Sequence, residues 1–105
     1  MFLLPYELKP RFIPLQKQYF RQFQSGDKVW EYRLHCKTWR EENAMVGRRV
    51  KLSMGYGKAE RMNGVIAETK IIPAKGIAGA SEIYHPKAEL YAMRINQLSE
   101  VYTDV

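Results

Sequence analysis

The chain has 105 residues, 46% hydrophobic and 27% charged, which is enough for one domain over residues 1–105 with a modest core and too apolar for a disordered chain. No apolar run approaches the ~20 residues of a membrane span, and the single cysteine, Cys36, leaves no intrachain disulfide framework, so a cytoplasmic protein without membrane association is expected. The net charge of +6 is unevenly placed: residues 9–61 hold thirteen Lys/Arg against five Asp/Glu, while the remainder is slightly acidic. A basic stretch of this kind favours a polyanionic partner, because phosphates are drawn by steering and counterion release.

In chain order, the opening Met1-Phe2-Leu3-Leu4 is stopped by Pro5 and Glu7 and is too short for a signal peptide. Tyr6-Glu7-Leu8-Lys9 reads as a short edge strand ended by Pro10. Phe12, Leu15, Tyr19, Phe20 and Phe23 recur at helical spacing, predicting an amphipathic helix from about Pro14 to Gln24, with Gly26 just past its end. A second strand over Lys28–Leu34 alternates Trp30, Tyr32 and Leu34, expected to face the core, with Glu31 and Arg33 on the other face. Residues 37–42 resemble a short helix, with Thr38 and Glu41 at capping-box spacing.

Arg49–Met54 alternates again, with Val50, Leu52 and Met54 inward and Arg49, Lys51 and Ser53 outward. Gly55-Tyr56-Gly57-Lys58 is a hairpin tip, and the strand returns over Glu60–Ile72 with Gly64 as a candidate bulge. Residues 73–86 are rich in small residues and admit a short helix near Gly79–Tyr84. A last strand covers about Glu89–Leu98, with Tyr91, Met93 and Ile95 on one face and Arg94 and Asn96 on the other. The sum is an α+β, mainly β fold: a small mixed, mostly antiparallel barrel of five or six strands with one main helix and short flanking helices.

The order Leu8-Lys9-Pro10, helix, Ser25-Gly26-Asp27-Lys28-Val29-Trp30-Glu31-Tyr32-Arg33-Leu34 and then Val46-Gly47 resembles the ASCH domains of the PUA-like superfamily over about residues 6–70. The resemblance implies a PUA-like β-barrel with a cleft at its mouth, and binding of RNA or of a modified nucleoside or nucleotide. Some small ASCH proteins hydrolyse the amide of N4-acetylcytidine, and others are described as ribonucleases. In the amidohydrolase pattern a strand-opening lysine is joined by a threonine three residues later and a glutamate farther on. Lys28 matches the lysine, Glu31 stands in the threonine's place, and Glu68 is the candidate for the glutamate.

Two constellations carry the chemistry. Lys28, Glu31 and Arg33 gather an ammonium, a carboxylate and a guanidinium: the cations suit phosphate or a base edge, and the carboxylate can accept from an exocyclic amine. The same residues also suit a structural ion pair, and in an enzyme Lys28 and Glu31 would be catalytic. Trp39, Arg40, Arg48, Arg49, Lys51, Tyr56, Lys58 and Arg61 interleave rings and cations as single-stranded RNA, or single-stranded DNA, requires, although Trp39 also suits a core plug. His35, Cys36 and His85 lack metal-ligand spacing, and no cofactor motif is present, so neither metal nor cofactor is expected. An RNA- or nucleotide-binding domain, a small amidohydrolase and a module for an acidic protein partner are the three readings carried forward.

Overall fold

The structure, a computed structural model, describes residues 3–77, 79–80, 83–85 and 87–103. Its helix shows how local sequence sets the frame. α1 (Lys17–Ser25) buries Phe20 and Phe23 along one face and ends at Gly26, whose φ of 86° supplies the left-handed cap that a side chain would resist. The helix begins later than its apolar spacing predicts. Phe12, Pro14 and Leu15 belong instead to β1 (Arg11–Leu15), a parallel edge strand beside β3 (Arg49–Met54). An edge position tolerates Pro14, since its missing N–H is not needed on the open side.

β1 also replaces the strand expected at Tyr6–Lys9. Pro5 opens a 3-10 turn over Pro5–Glu7, and the extended residues after it are tied down by side chains. Arg48 donates to the Lys9 carbonyl at 2.7 Å and Arg49 to that of Leu8 at 3.0 Å. Residues 37–42 form turns rather than a helix. The Asn43 side chain donates to the Lys37 carbonyl at 2.9 Å, and the Cys36 N–H donates to the Trp39 carbonyl at 3.2 Å, so local bonds replace a helical ladder.

The remaining strands are β2 (Trp30–Leu34), β4 (Glu60–Pro73), β5 (Glu89–Asn96) and a two-residue β6 (Tyr102–Thr103) that the sequence did not announce. They form one curled mixed sheet in the order β1-β3-β4-β5-β2, with β6 paired to the start of β4. The architecture is mainly β with one helix, a half-barrel whose two free edges are β1 and β2. Among the described residues, no helix is long and apolar enough to cross a membrane.

The main core fills the concave face, where Ile13, Val50, Leu52, Ile66 and Met93 meet Phe20 and Phe23 of α1. Ala74, Ala80 and Leu90 form a smaller core on the outer face, with Tyr32, Ile72 and Tyr84 packed against it. β5 lies between the two, which is why Leu90 to Met93 are buried consecutively and not alternately. The short helix expected over Gly79–Tyr84 falls partly outside the described residues; the Ile83 and Tyr84 N–H groups both donate to the Ala80 carbonyl. Tyr91 pins the 36–46 loop to the sheet. Its hydroxyl lies 2.5 Å from the Ala44 carbonyl and 3.1 Å from the Glu41 carboxylate, and burial pushes its pKa up to about 12.

The irregularity expected at Gly64 lies farther along, where the β4–β5 register shifts between Ile66 and Glu68. Gly64 serves close approach instead. A Cβ there would sit 2.8 Å from Ile95 Cγ2, 3.0 Å from Leu98 Cδ2 and 3.2 Å from the Asn96 carbonyl oxygen. Gly64→Ala should therefore lower stability by about 1–3 kcal/mol, read as a fall in the urea midpoint at constant m-value. An unchanged midpoint would show that the two strands can spread at no cost.

Candidate functional site

β2 alternates as expected, but its phase is the reverse of the one expected. Cross-strand register sets Glu31 opposite Met93 and Arg33 opposite Tyr91, both concave-core positions, whereas Tyr32 and Leu34 stand opposite Ala92 and Leu90. The charged pair therefore points into the half-barrel, and Trp30, Tyr32 and Leu34 lie on the outer face. Tyr32 is covered there by the small second core, and Trp30 carries the Lys70 ammonium 4.4 Å from its ring centroid.

Charges can lie on this inner face because β2 is a free edge facing β1 across the gap in the barrel. The Ile95 N–H donates to the Val29 carbonyl and the His35 N–H to the Glu89 carbonyl, so odd-numbered residues make the ladder with β5. The backbone groups of Trp30, Tyr32 and Leu34 then face the gap, and side chains occupy it. Lys28 donates to the Trp30 carbonyl, and Arg33 crosses to the Pro14 carbonyl of β1 at 2.6 Å.

Glu31 sits between the two cations. Its Oε2 is 2.9 Å from Arg33 and its Oε1 is 3.6 Å from the Lys28 ammonium, with side-chain exposures of only 9% for Glu31, 16% for Lys28 and 23% for Arg33. The ion pair considered from sequence is thus present, and it is built into the floor of a cleft rather than laid on an outer surface. The Lys28 ammonium also lies 5.6, 5.4 and 5.2 Å from the ring centroids of Tyr19, Phe23 and Tyr32, within reach of cation–π attraction. Burial holds the Lys28 pKa below the ordinary lysine range, and outweighs the opposing pull of Glu31; Arg33 adds a smaller push downward.

The cleft has a volume of about 620 Å³. One wall is Pro14, Leu15, Gln16 and Tyr19 from the β1–α1 junction, the floor is Lys28 with Glu31 to Arg33, and the far wall includes Ile77, Ala80 and Tyr84. The sequence read Tyr19 and Tyr32 as core and did not single out Tyr84 or Gln16. No periodicity marks them, because the cleft joins residues from four separate stretches. Arg11 was also missed: it lies with Arg33 against the Trp39 ring, at 4.1 and 5.0 Å from the centroid.

The second constellation does not assemble as one surface. Trp39 packs partly into the main core and borders the site through Arg33. Arg40 pairs with Glu42 at 3.0 Å, while Arg48 and Arg49 serve the Lys9 and Leu8 carbonyls. Lys51, Tyr56, Lys58 and Arg61 gather around the β3–β4 hairpin instead, with Ser53 fully buried beside them and donating to the Gly55 carbonyl at 2.6 Å. Glu68 is exposed on the outer face and bound to Arg94 at 3.2 Å, so it does not supply a carboxylate to the cleft. His35 stacks on Tyr91 at 6.1 Å. No protein-family model matches the chain, and no curated protein or solved structure matches it.

The depressed pKa of Lys28 has a thermodynamic consequence. Between its folded value and the ordinary value of 10.5 the unfolded chain binds more protons, so stability rises with pH across that window. Relative to Lys28→Met, the wild-type protein should therefore gain stability as pH is raised from 7 toward 10, measured by urea denaturation of both proteins. A pH-independent difference would mean that Lys28 titrates normally.

Proposed function

We propose that the cleft binds a nucleotide-like ligand, either free or as one residue of an RNA strand. The observation that carries this reading is the Glu31 carboxylate held by Lys28 and Arg33 in the floor of a cleft of about 620 Å³. That volume lies in the range of small-ligand sites, ~300–1,000 Å³. The carboxylate accepts from an exocyclic amine such as those of cytosine or adenine, the flanking cations engage phosphate, and tyrosine rings offer stacking faces. The positive excess over residues 9–61 and the resemblance to ASCH domains support the same reading.

One observation favours a second reading, an amidohydrolase acting on an acylated cytidine. Lys28 is desolvated, has reduced basicity and lies beside a carboxylate. Its neutral amine could take a proton from water as the resulting hydroxide adds to the acyl carbon. The C–N bond would then break, and that proton would pass to the departing amine. Glu31 in place of the pattern's threonine keeps this reading second.

Isothermal titration with cytidine and adenosine monophosphates tests the first reading. Wild-type binding should weaken about tenfold or more in Glu31→Gln, as expected when a charged hydrogen-bond acceptor is lost. Lys28→Met should weaken it as well, with the far-UV spectrum of both variants unchanged. Equal affinity in all three proteins would remove the cleft as the binding site. Release of acetate from N4-acetylcytidine by the wild type but not by Lys28→Met would instead establish the second reading.

A further inference from the structure

We propose that the outward face of β1 and the tip of the β3–β4 hairpin form a stacking subsite for single-stranded nucleic acid, adjacent to the nucleotide held in the cleft. The proposal rests on the cleft reading above and names its ligand as a polymer. Ile13 and Leu15 face the core, so Phe12 and Pro14 face outward, and the parallel register sets Lys51 beside Phe12. The Phe12 and Tyr56 rings lie 5.8 Å apart at a tilt of 49°, and Tyr56 is 78% exposed. The Arg61 guanidinium lies 5.1 Å from the centre of the Phe12 ring and donates to the Gly57 carbonyl, so the tip and the ring are held by one side chain.

The tip is shaped for display. Gly55 and Gly57 adopt φ of 80° and 73° on either side of Tyr56, a left-handed geometry that turns the tyrosine out of the sheet. The Gly55 N–H donates to the Leu15 carbonyl at 3.1 Å, which joins the tip to the end of β1. Pro14 and Leu15 at that end are also cleft wall. From Pro14 to Phe12 is two residues on the same face, about 7 Å along a strand. A chain leaving the cleft over Pro14 therefore meets the Phe12–Tyr56 pair next.

Charge selects the occupant. Lys51 and Lys58 flank the rings, and the nearby carboxylate of Glu60 is already bound by Arg21 at 2.6 Å. An exposed tyrosine resting on a half-buried phenylalanine, with lysines close by, suits bases and phosphates of a flexible strand, where stacking is tolerant of sequence.

The test is fluorescence anisotropy with a labelled cytidine hexanucleotide, competed by cytidine monophosphate, on wild type, Tyr56→Ala, Lys51→Ala/Lys58→Ala and Glu31→Gln. Tyr56→Ala should weaken hexanucleotide binding roughly 5- to 100-fold and leave mononucleotide affinity unchanged. The double lysine variant should reduce the slope of log affinity against log salt by about 1.4, two single-strand phosphate contacts. Glu31→Gln should weaken both ligands. If hexanucleotide affinity ignores Tyr56 while the mononucleotide still binds, the stacking subsite is overturned and the cleft stands. Hexanucleotide binding that depends on Tyr56 but not on Glu31 overturns the cleft connection and leaves an independent surface. Failure of both probes to bind overturns both.

Discussion

The gap between β1 and β2 is the constraint on which the rest of the structure depends. A closed barrel satisfies every strand edge with its neighbour, whereas here two edges face each other and must be satisfied by other means. Arg33 reaches across from β2 to the Pro14 carbonyl, and Lys28 turns back onto the Trp30 carbonyl of its own edge. These bonds bring two cations to a place where the core would otherwise continue. Glu31 then follows from electrostatics, since two largely buried cations without a carboxylate between them would each lose hydration with little in return.

The same gap makes the site. Were β1 paired to β2, the space now lined by Tyr19, Glu31 and Tyr84 would be sheet. Opening it costs a row of ladder hydrogen bonds and leaves a concave surface whose floor is charged and whose walls are mainly aliphatic, with one tyrosine on each side. The half-barrel is thus tied together elsewhere, by Phe20 and Phe23 of α1 in the concave core and by Tyr91 holding the 36–46 loop.

Burial also sorts the basic residues, which composition alone treats as one population. Arg48 and Arg49 are spent on backbone carbonyls of the extended segment after Pro5–Glu7, and Arg40 on Glu42. Arg11 and Arg33 lie against Trp39, where ring and guanidinium each screen the other from water. Lys51 remains beside the half-buried Phe12, and Lys58 follows the exposed Tyr56 on the hairpin tip. A count of positive charge therefore overstates the surface available to a polyanion.

Several elements were legible in the sequence because their causes are local. The Gly26 cap, the apolar face of α1, the alternation of β3 as far as Leu52 and the Gly-flanked tip at Tyr56 all rest on spacing or on a single backbone conformation, and the mainly β fold class followed from their sum. Ser53, expected outward, is instead buried where it donates to the Gly55 carbonyl. Lys28, Glu31 and Arg33 were legible as a cluster for the same reason. The phase of β2 was not, because alternation reports two faces without saying which one meets the larger core, and here both are covered. Nor could spacing place Pro14 in a strand, since its tolerance depends on an edge that exists only once β3 is beside it. The sequence by itself determined which residue types alternate and where the chain must turn. Only the tertiary structure decided which face is inside and which edges stay open, because both depend on neighbours brought from distant parts of the chain.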